Sequence, residues 1–350
     1  MALFRRAKAP AIDPNVGTWG FWRWWTAEGA DQMAALLDSP GQEAGSAITE
    51  RLTRRVAGVD PRLTWSLAPG VNAKHRLIVS ANGNPELLFI ARRWLRRAPD
   101  ASRLWEYADQ RPAVAQLVGH TIDVDGIEVS LDDITATWAR RGDWLDVRLH
   151  HPLFAGHLDE INARIAAHVL DAVVGERDAN LWVGRVTHPR DGQPAAAPVE
   201  GIRAAVRDLR TELTDHVGKP IWTTFSGMSN GRPVTAAALV KLTPALAPQL
   251  DFHVNVVVPF VDLNTVGEPS EMALSQLNAL VAGLEDRLGR STLLVAHETA
   301  RGHRTLHFYI DSMTSAGEQI KAAFVEWRQG KVKSDATADP HWSIVGHLRR

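Results

Sequence analysis

Four polar side chains alternate along one short segment near the C-terminus, and their types could carry acid–base chemistry or recognise a partner. The polar positions of residues 303–310 are His303, Thr305, His307 and Tyr309, and the positions between them are Arg304, Leu306, Phe308 and Ile310. Successive side chains of a β-strand point to opposite faces, so the pattern predicts a strand with one ionisable face. We expect that face to form a recognition surface.

A preceding segment, 292–299, is predicted to pair with this strand as a hairpin that turns at Ala300-Arg301-Gly302. It places His297 and Glu298 on opposite faces. Depending on the register, His297 could meet His307 across the hairpin, and a zinc site there is one alternative. Histidine and carboxylate groups also serve general acid–base catalysis, so a second alternative is a hydrolytic site that uses Glu298, His303 and His307.

Two residues close to the C-terminus complete the expected surface. Asp339 could pair with Arg304, which would then tie the hairpin to the end of the chain, and Glu298 is the other candidate partner of Arg304. The expected binding-surface residues are His303, Arg304, His307, Tyr309, Glu298, Asp339 and Trp342. We predict no bound metal and no cofactor.

The aromatic residues suggest a second kind of surface. The chain has 13 Trp and only 2 Tyr. Five of the Trp residues alternate along predicted strands among apolar neighbours, which is typical of core positions: Trp65, Trp105, Trp138, Trp144 and Trp182. Phe21, Trp22, Trp24 and Trp25 differ, because four aromatic residues so close together cannot share one side of a helix that turns about 100° per residue. We therefore expect at least one either to be exposed or to meet another surface of the protein, with Trp22 and Trp25 as candidates for stacking on a sugar or a base.

Composition excludes several classes of protein. The 39 Lys and Arg residues balance 40 Asp and Glu residues, so a nucleic-acid partner is not expected. With no cysteine, disulfides, thiolate metal sites and cysteine nucleophiles are excluded, and we predict a cytoplasmic protein. No segment approaches the roughly 18 consecutive apolar residues of a membrane span. Common nucleophile, phosphate-loop and zinc-protease motifs are also missing, so no motif names a reaction.

Hydrophobic periodicity predicts an α+β protein of two domains. We expect a flexible tail at 1–18, a mixed α+β domain with a largely antiparallel sheet at 19–187, a linker at 188–198 and a connecting helix at 199–218. In the last part, 219–350, strands and two helices follow in the order of a ferredoxin-like α/β sandwich with one added strand.

Several short motifs of residues 219–346 resemble the bacterial family called domain of unknown function 695. The motifs are Trp222, Pro233, Gly267-Glu268-Pro269, Leu284-Glu285-Asp286, Glu298-Thr299, Gly302-x-Arg304, Phe308-Tyr309 and Asp339-Pro340-x-Trp342. Residues 19–190 resemble the region often found upstream of that domain, through Phe21, Trp22, Trp24, Ser80-Ala81-Asn82-Gly83, Ala98-Pro99, Trp105 and Gly175-Glu176. The resemblance bears on the fold of the chain, and it leaves the question of an activity open.

Two functions compete on these grounds. The leading hypothesis is a cytosolic, non-catalytic binding or regulatory module with a protein partner. The other is a hydrolase or nuclease-like enzyme that uses Glu298, His303 or His307, with or without a metal. Apart from the stacking that Trp22 and Trp25 could offer, the sequence does not identify a small-molecule ligand, and it does not give the oligomeric state.

Overall fold

Helices and strands together build the chain, so the α+β class is confirmed. The computed structural model describes residues 14–39, 41–190, 197–229, 232–265 and 268–349. Internal contacts divide the chain into two units, Met1–Pro112 and Ala113–Arg350. Residues 1–13 of the predicted tail (1–18) and residues 191–196 of the predicted linker (188–198) lie outside the described residues. The predicted domain boundaries stay a prediction. Within the described ranges, none of the helices combines the length and apolar character of a membrane span.

The first unit combines helices with a three-stranded sheet. Its helices are α1 (Pro14–Trp24), α2 (Ala30–Asp38), α3 (Gln42–Ala57) and α4 (Leu88–Arg96), and a π-helical turn, Trp25–Gly29, joins α1 to α2. Its strands are β1 (Thr64–Pro69), β2 (His75–Ser80) and β3 (Trp105–Ala108). β1 and β2 are antiparallel, and β3 joins β2 in parallel.

The aromatic segment of α1 is buried in the first unit. The buried members are Phe21, Trp22, Trp24 and Trp25. Trp22 donates from Nε1 to the carbonyl of Trp94 at 2.7 Å, and Trp25 donates to the hydroxyl of Tyr107 at 2.9 Å. None of the four is exposed, and neighbours cover the helix on more than one side, so these aromatic residues meet other surfaces of the first unit. Trp22 and Trp25 therefore offer no free ring face for stacking.

The second unit begins with two small sheets and three helices. The strands are β4 (Thr121–Val124), β5 (Ile127–Ser130), β6 (Thr135–Arg141), β7 (Trp144–His150), β8 (Val183–Thr187) and β9 (Ala197–Pro198); the helices are α5 (Asp159–Val174), α6 (Glu176–Trp182) and α7 (Glu200–Leu213). β4 and β5 form a hairpin, and positive φ angles at Asp125 and Gly126 suit its two-residue turn. β7 pairs with β6 and, in parallel, with β8.

A six-stranded sheet forms the rest of this unit. Its elements are β10 (Trp222–Ser229), β11 (Arg232–Leu239), β12 (Phe252–Pro259), α8 (Glu271–Leu288), β13 (Thr292–Ala300), β14 (His303–Ile310), α9 (Ala316–Ala323) and β15 (Lys333–Ala338). The strand order is β10-β11-β13-β14-β12-β15, and all neighbouring strands are antiparallel. α8 connects β12 to β13, and α9 connects β14 to β15.

The two faces of this sheet have different coverings. On one face, which we call the helix face, valines of β12 and the apolar residues of β14 pack against α8 and α9. On the other, the terminal face, Val295 and Tyr309 pack against Trp342 and Val345 near the C-terminus. The alternation of β14 predicts this arrangement, because Leu306, Phe308 and Ile310 need an apolar covering while His307 and Tyr309 lie on the reverse.

Candidate functional site

A row of hydrogen-bonded ionisable groups crosses the terminal face. His253 of β12 lies with its Nε2 3.0 Å from Nδ1 of His307 on β14. His307 Nε2 lies 3.1 Å from Oε1 of Glu298 on β13. The same oxygen lies 3.2 Å from Nε2 of His347, in a short turn near the C-terminus. We call these four residues the histidine–glutamate chain.

The register of the β13–β14 hairpin decides which residues meet. Its turn contains two residues, Arg301 and Gly302, and both have positive φ angles. Glu298 therefore lies opposite Thr305, on the face that also carries His307. His297 lies opposite Leu306 and points to the helix face. The alternative in which His297 meets His307 is therefore wrong.

His297 has a different neighbour. Its imidazole stacks on the indole of Trp222, with 5.5 Å between the ring centroids. Burial lowers the pKa of His297 to about 4, so the ring is neutral near pH 7. The zinc alternative therefore loses one of its two histidines to the opposite side of the sheet.

The histidine–glutamate chain runs from the protein interior to solvent. His253 and His307 are only 4% and 6% exposed, whereas the side chains of Glu298 and His347 are 30% and 56% exposed. Burial lowers the pKa of His253 to about 4, so this imidazole is neutral. The hydrogen bond from His307 lowers the pKa of Glu298 to about 2, so its carboxyl group is charged.

These charge states assign donors and acceptors. A carboxylate can only accept, so His307 Nε2 and His347 Nε2 both donate to Glu298. His253 Nε2 and His307 Nδ1 share the remaining hydrogen bond, at 3.0 Å. Two hydrogen bonds of the histidine–glutamate chain therefore converge on Glu298, whose carboxylate is partly exposed to solvent.

A second cluster holds the C-terminal segment on the terminal face. The hydroxyl of Tyr309 donates to Asp339 Oδ2 at 2.6 Å. The Tyr309 ring stacks on Trp342, with 4.4 Å between centroids and 19° between planes. The indole of Trp342 donates to the carbonyl of Leu250 at 2.9 Å. Burial, followed by the neighbouring Asp339, raises the pKa of Tyr309, so the phenol stays protonated. We call Tyr309, Asp339 and Trp342 the C-terminal anchor.

Asp339 also shapes the segment that follows it. Its carboxylate oxygens accept from the backbone amides of Ser343 and Ile344, both at 2.9 Å. Although burial opposes ionisation, the hydrogen bonds from Tyr309 and from these amides hold the pKa of Asp339 below its ordinary value. The charged Asp339 therefore fixes a tight turn and attaches it to the sheet.

Two of the residues predicted for the surface lie apart from these clusters. His303 is exposed at the hairpin end, where its Nδ1 lies 2.9 Å from the carbonyl of Arg301. Arg304 points to the helix face and donates from Nε to Thr299 Oγ1 at 2.8 Å. The predicted pairing of Arg304 with Asp339 or Glu298 is wrong, because Tyr309 and the histidines bind those carboxylates instead.

Three polar residues of this region are not among those predicted from the sequence. His253 and Asn255 alternate with valines in β12, and that alternation was a usable signal for a polar face. Asn255 Oδ1 is buried without a hydrogen-bond partner among the described residues. His347 gave no signal, since it lies in an irregular turn.

The arrangement limits what the site could bind. In the part of the chain that the structure describes, no three His, Asp or Glu side chains are grouped to hold a metal ion. His307, which is the residue best placed for proton transfer, lies between Glu298 and His253 beneath the terminal segment. The part of the histidine–glutamate chain that contacts solvent is its outer end, Glu298 and His347.

Comparisons with known proteins give one match. Neither the curated proteins nor the solved structures include a match to this chain. The resemblance proposed for residues 19–190 therefore stays a prediction. The segment that a family model matches begins just before β10 and ends one residue before His347. It therefore contains all six strands of the sheet. It also contains Trp342 and those residues of the histidine–glutamate chain and of the C-terminal anchor that lie on strands. Residues 221–346 match the family of unknown function DUF695, which confirms the predicted resemblance for the C-terminal part of the chain.

Proposed function

We propose that this chain is a non-catalytic binding or regulatory module that acts through the terminal face of its six-stranded sheet. One observation carries the proposal: the ionisable side chains of that face are used to seat a peptide segment. Tyr309 binds Asp339 and stacks on Trp342, while Glu298 binds His347. A face that already holds one segment by these contacts has the chemistry to hold another.

The exposed end of the face indicates where a partner would begin to bind. Glu298 is a charged carboxylate that is partly exposed, and His347 is its outermost partner. A protein that offers a basic or hydrogen-donating group could replace His347 on Glu298. The C-terminal turn, Gly346–Leu348, would then lift, while the C-terminal anchor stays in place.

Affinity capture with the purified full chain tests this proposal. We expect one specific protein partner, captured more strongly by His347→Ala, because Glu298 is then unoccupied. Glu298→Gln should lose the partner, because the charge that attracts it is gone. Arg287→Gln, on the exposed end of α8, is the control that should change nothing. If neither the natural chain nor any variant captures a specific partner, the proposal fails.

A second candidate is a hydrolase or nuclease-like enzyme, and the 3.1 Å contact between His307 and Glu298 favours it. A carboxylate that orients a histidine is a common acid–base arrangement. His303 would take no part, and His253 would replace it. Since His307 is 6% exposed, a substrate could reach it only after the C-terminal segment moves. Hydrolysis of ester or phosphodiester substrates, with or without divalent metal, that Glu298→Gln abolishes would establish the enzyme instead.

The finer details of fold and location belong to the same proposal. The element order β12-α8-β13-β14-α9-β15 and the strand order β13-β14-β12-β15 support a ferredoxin-like sandwich, with β10 and β11 added at one edge. Two added strands replace the single one expected from the sequence. The cytoplasm stays the predicted location, on the basis of the missing cysteines.

A further inference from the structure

β15 forms one edge of the six-stranded sheet. It pairs with β12 on one side, and no described strand follows it in the sheet. All six of its residues, Lys333–Ala338, are exposed. The outer backbone groups of such an edge are available to pair with a further strand.

A groove lies directly beside this edge. Its volume is about 530 Å³, within the range of roughly 300–1,000 Å³ that is typical of ligand pockets. Val256 and Ser334, which are cross-strand neighbours in β12 and β15, both line it, so the groove opens on the helix face. Phe324 and Val332 add apolar surface. Alternate side chains of a strand added to β15 would point toward this groove.

The rim of the groove is basic. Lys321, Arg328 and Lys331 line it, and all three are exposed. Glu318 neutralises Lys321 at 3.1 Å. Neither Arg328 nor Lys331 forms an ion pair with another described residue. Glu326, nearby in sequence, does not line the groove. The groove therefore combines an apolar lining with two uncompensated positive charges.

We propose that β15 and this groove bind an extended segment of another protein as an added strand, with an apolar side chain in the groove and acidic residues at its rim. The backbone of β15 would supply affinity, and the groove would select the side chains. Six residues of strand span roughly 20 Å, so a short linear segment is sufficient. This surface is separate from the terminal face, and the proposal goes beyond the function given above.

A second copy of this chain fits the groove poorly. If β15 of another copy paired with this edge, the residues on its helix face would be Ser334, Ala336 and Ala338. Such small side chains would leave the apolar lining uncovered, and the adjoining Lys333 would add positive charge to a basic rim. The chemistry therefore favours a partner with a different, acidic sequence.

Fluorescence anisotropy with three labelled peptides tests the proposal on the full chain. The peptides are about ten residues long and carry alternating Glu and Val, alternating Lys and Val, or the acidic pattern with prolines in place of central valines. We expect the acidic peptide to bind and the basic peptide to bind at least roughly tenfold more weakly. The proline peptide should lose a similar factor, because proline has no N–H to donate to a strand.

Charge reversal locates the site. The double variant Arg328→Glu/Lys331→Glu should weaken binding of the acidic peptide roughly tenfold or more, since each exposed contact changes from attraction to repulsion. The matched control, Arg287→Glu/Arg290→Glu, makes the same change of charge at the exposed end of α8 and in the turn that follows it, and it should leave the affinity unaltered. Hydrogen exchange at the amides of residues 333–338 should slow when the acidic peptide is bound.

Several results would overturn this inference. Equal binding of the acidic and basic peptides, or equal loss in both double variants, would mean that the basic rim selects nothing. Undiminished binding of the proline peptide would exclude strand addition. Sedimentation that shows a homodimer, with protection of residues 333–338 that grows with concentration, would assign the edge to a second copy and contradict the proposed partner.

Discussion

The hydroxyl of Tyr309 decides how firmly the C-terminal segment is held on the terminal face. Tyr309→Phe keeps the ring on Trp342 but removes the 2.6 Å hydrogen bond to buried Asp339. A buried carboxylate that loses a donor costs about 1–3 kcal/mol in the free energy of unfolding. Urea denaturation of Tyr309→Phe, Asp339→Asn and the double variant should show that the two changes are not additive. Additive effects would mean that the two side chains do not interact.

Acid should weaken the folded state through His253. Its pKa is lowered to about 4 in the fold, against 6.5 when unfolded, so between these values the unfolded chain binds more protons. Stability therefore falls as the pH falls from 6.5 toward 4, by up to about 1.4 kcal/mol per pH unit for each such group. Urea denaturation at pH 7 and pH 5 should show this loss. His253→Asn should reduce it, and an unchanged loss would show that His253 is not responsible.

Lys241 should produce a dependence on alkaline pH. The side chain is 1% exposed, with Nζ 3.5 Å from the ring centroid of Trp144 and 3.2 Å from Asp143 Oδ2. Burial lowers its pKa to about 8, so between pH 8 and 10.5 the unfolded chain binds more protons. Stability should therefore rise with pH across that interval. Lys241→Met keeps an apolar stem beside Trp144 and should abolish the rise, as measured by urea denaturation at pH 8 and 10.

At the scale of residues, strand alternation predicts which side chains of the site share a face of the sheet, but it does not predict their partners. The period of two placed His307 and Tyr309 on one face, and the structure has them there. The partner of His307 depended on the turn. With a turn of three residues, Ala300–Gly302, His297 would lie on the same face as His307. The actual turn has two residues. A shift of one residue in the register moves every side chain of a strand to the opposite face, so His297 lies on the other side of the sheet. Contacts with His347 depend on an irregular segment that no periodicity describes.

Among the elements, close packing of α7 on β6 has a direct test. A Cβ atom at Gly201 would lie 2.2 Å from the ring of Trp138. Alanine normally favours a helix over glycine, but here Gly201→Ala should destabilise by about 1–3 kcal/mol because the ring must move. Gly45→Ala, in the exposed part of α3 where nothing lies within 4 Å, should instead stabilise by about 0.5–1 kcal/mol. Trp138→Leu should reduce the loss of stability caused by Gly201→Ala. Thermal or urea denaturation measures the stability of all these variants.

Most elements followed from hydrophobic periodicity, and the exceptions have local causes. The sequence favours a strand over 180–187, yet the first residues of that segment end α6, which begins after Gly175 with a φ of 86°. The aromatic cluster of α1 was placed on a regular helix. The π-helical turn Trp25–Gly29 changes the direction of the residues after Trp24, and the guanidinium of Arg55 covers the Trp24 ring at 4.8 Å. Neither feature is specified by the spacing of apolar residues.

At the scale of the whole chain, composition and element order predict the fold class, but not where contacts divide the polypeptide. The segment 188–198 reads as a linker because it is rich in proline, alanine and glycine. The contacts divide the chain after Pro112, and a domain boundary at 188–198 stays a prediction. A long-range contact explains the difference, since Lys241 follows β11 and lies against Trp144 of β7 and Trp182 of α6. Such a contact joins residues that are far apart in sequence, so local composition does not predict it.

Two fragments of the chain test whether its domains are separated after Pro112 or at the predicted linker, 188–198. Residues 113–350 should unfold in a single cooperative transition in urea, followed by circular dichroism, because the contacts of Lys241 and of the turn Pro244–Leu246 with α6 are retained. Residues 219–350 contain the whole region matched by the family but lose that covering, which exposes the buried side chains of Lys241 and Ala245. This shorter fragment should therefore unfold at a lower urea concentration. Equal midpoints would instead support a domain boundary at the predicted linker.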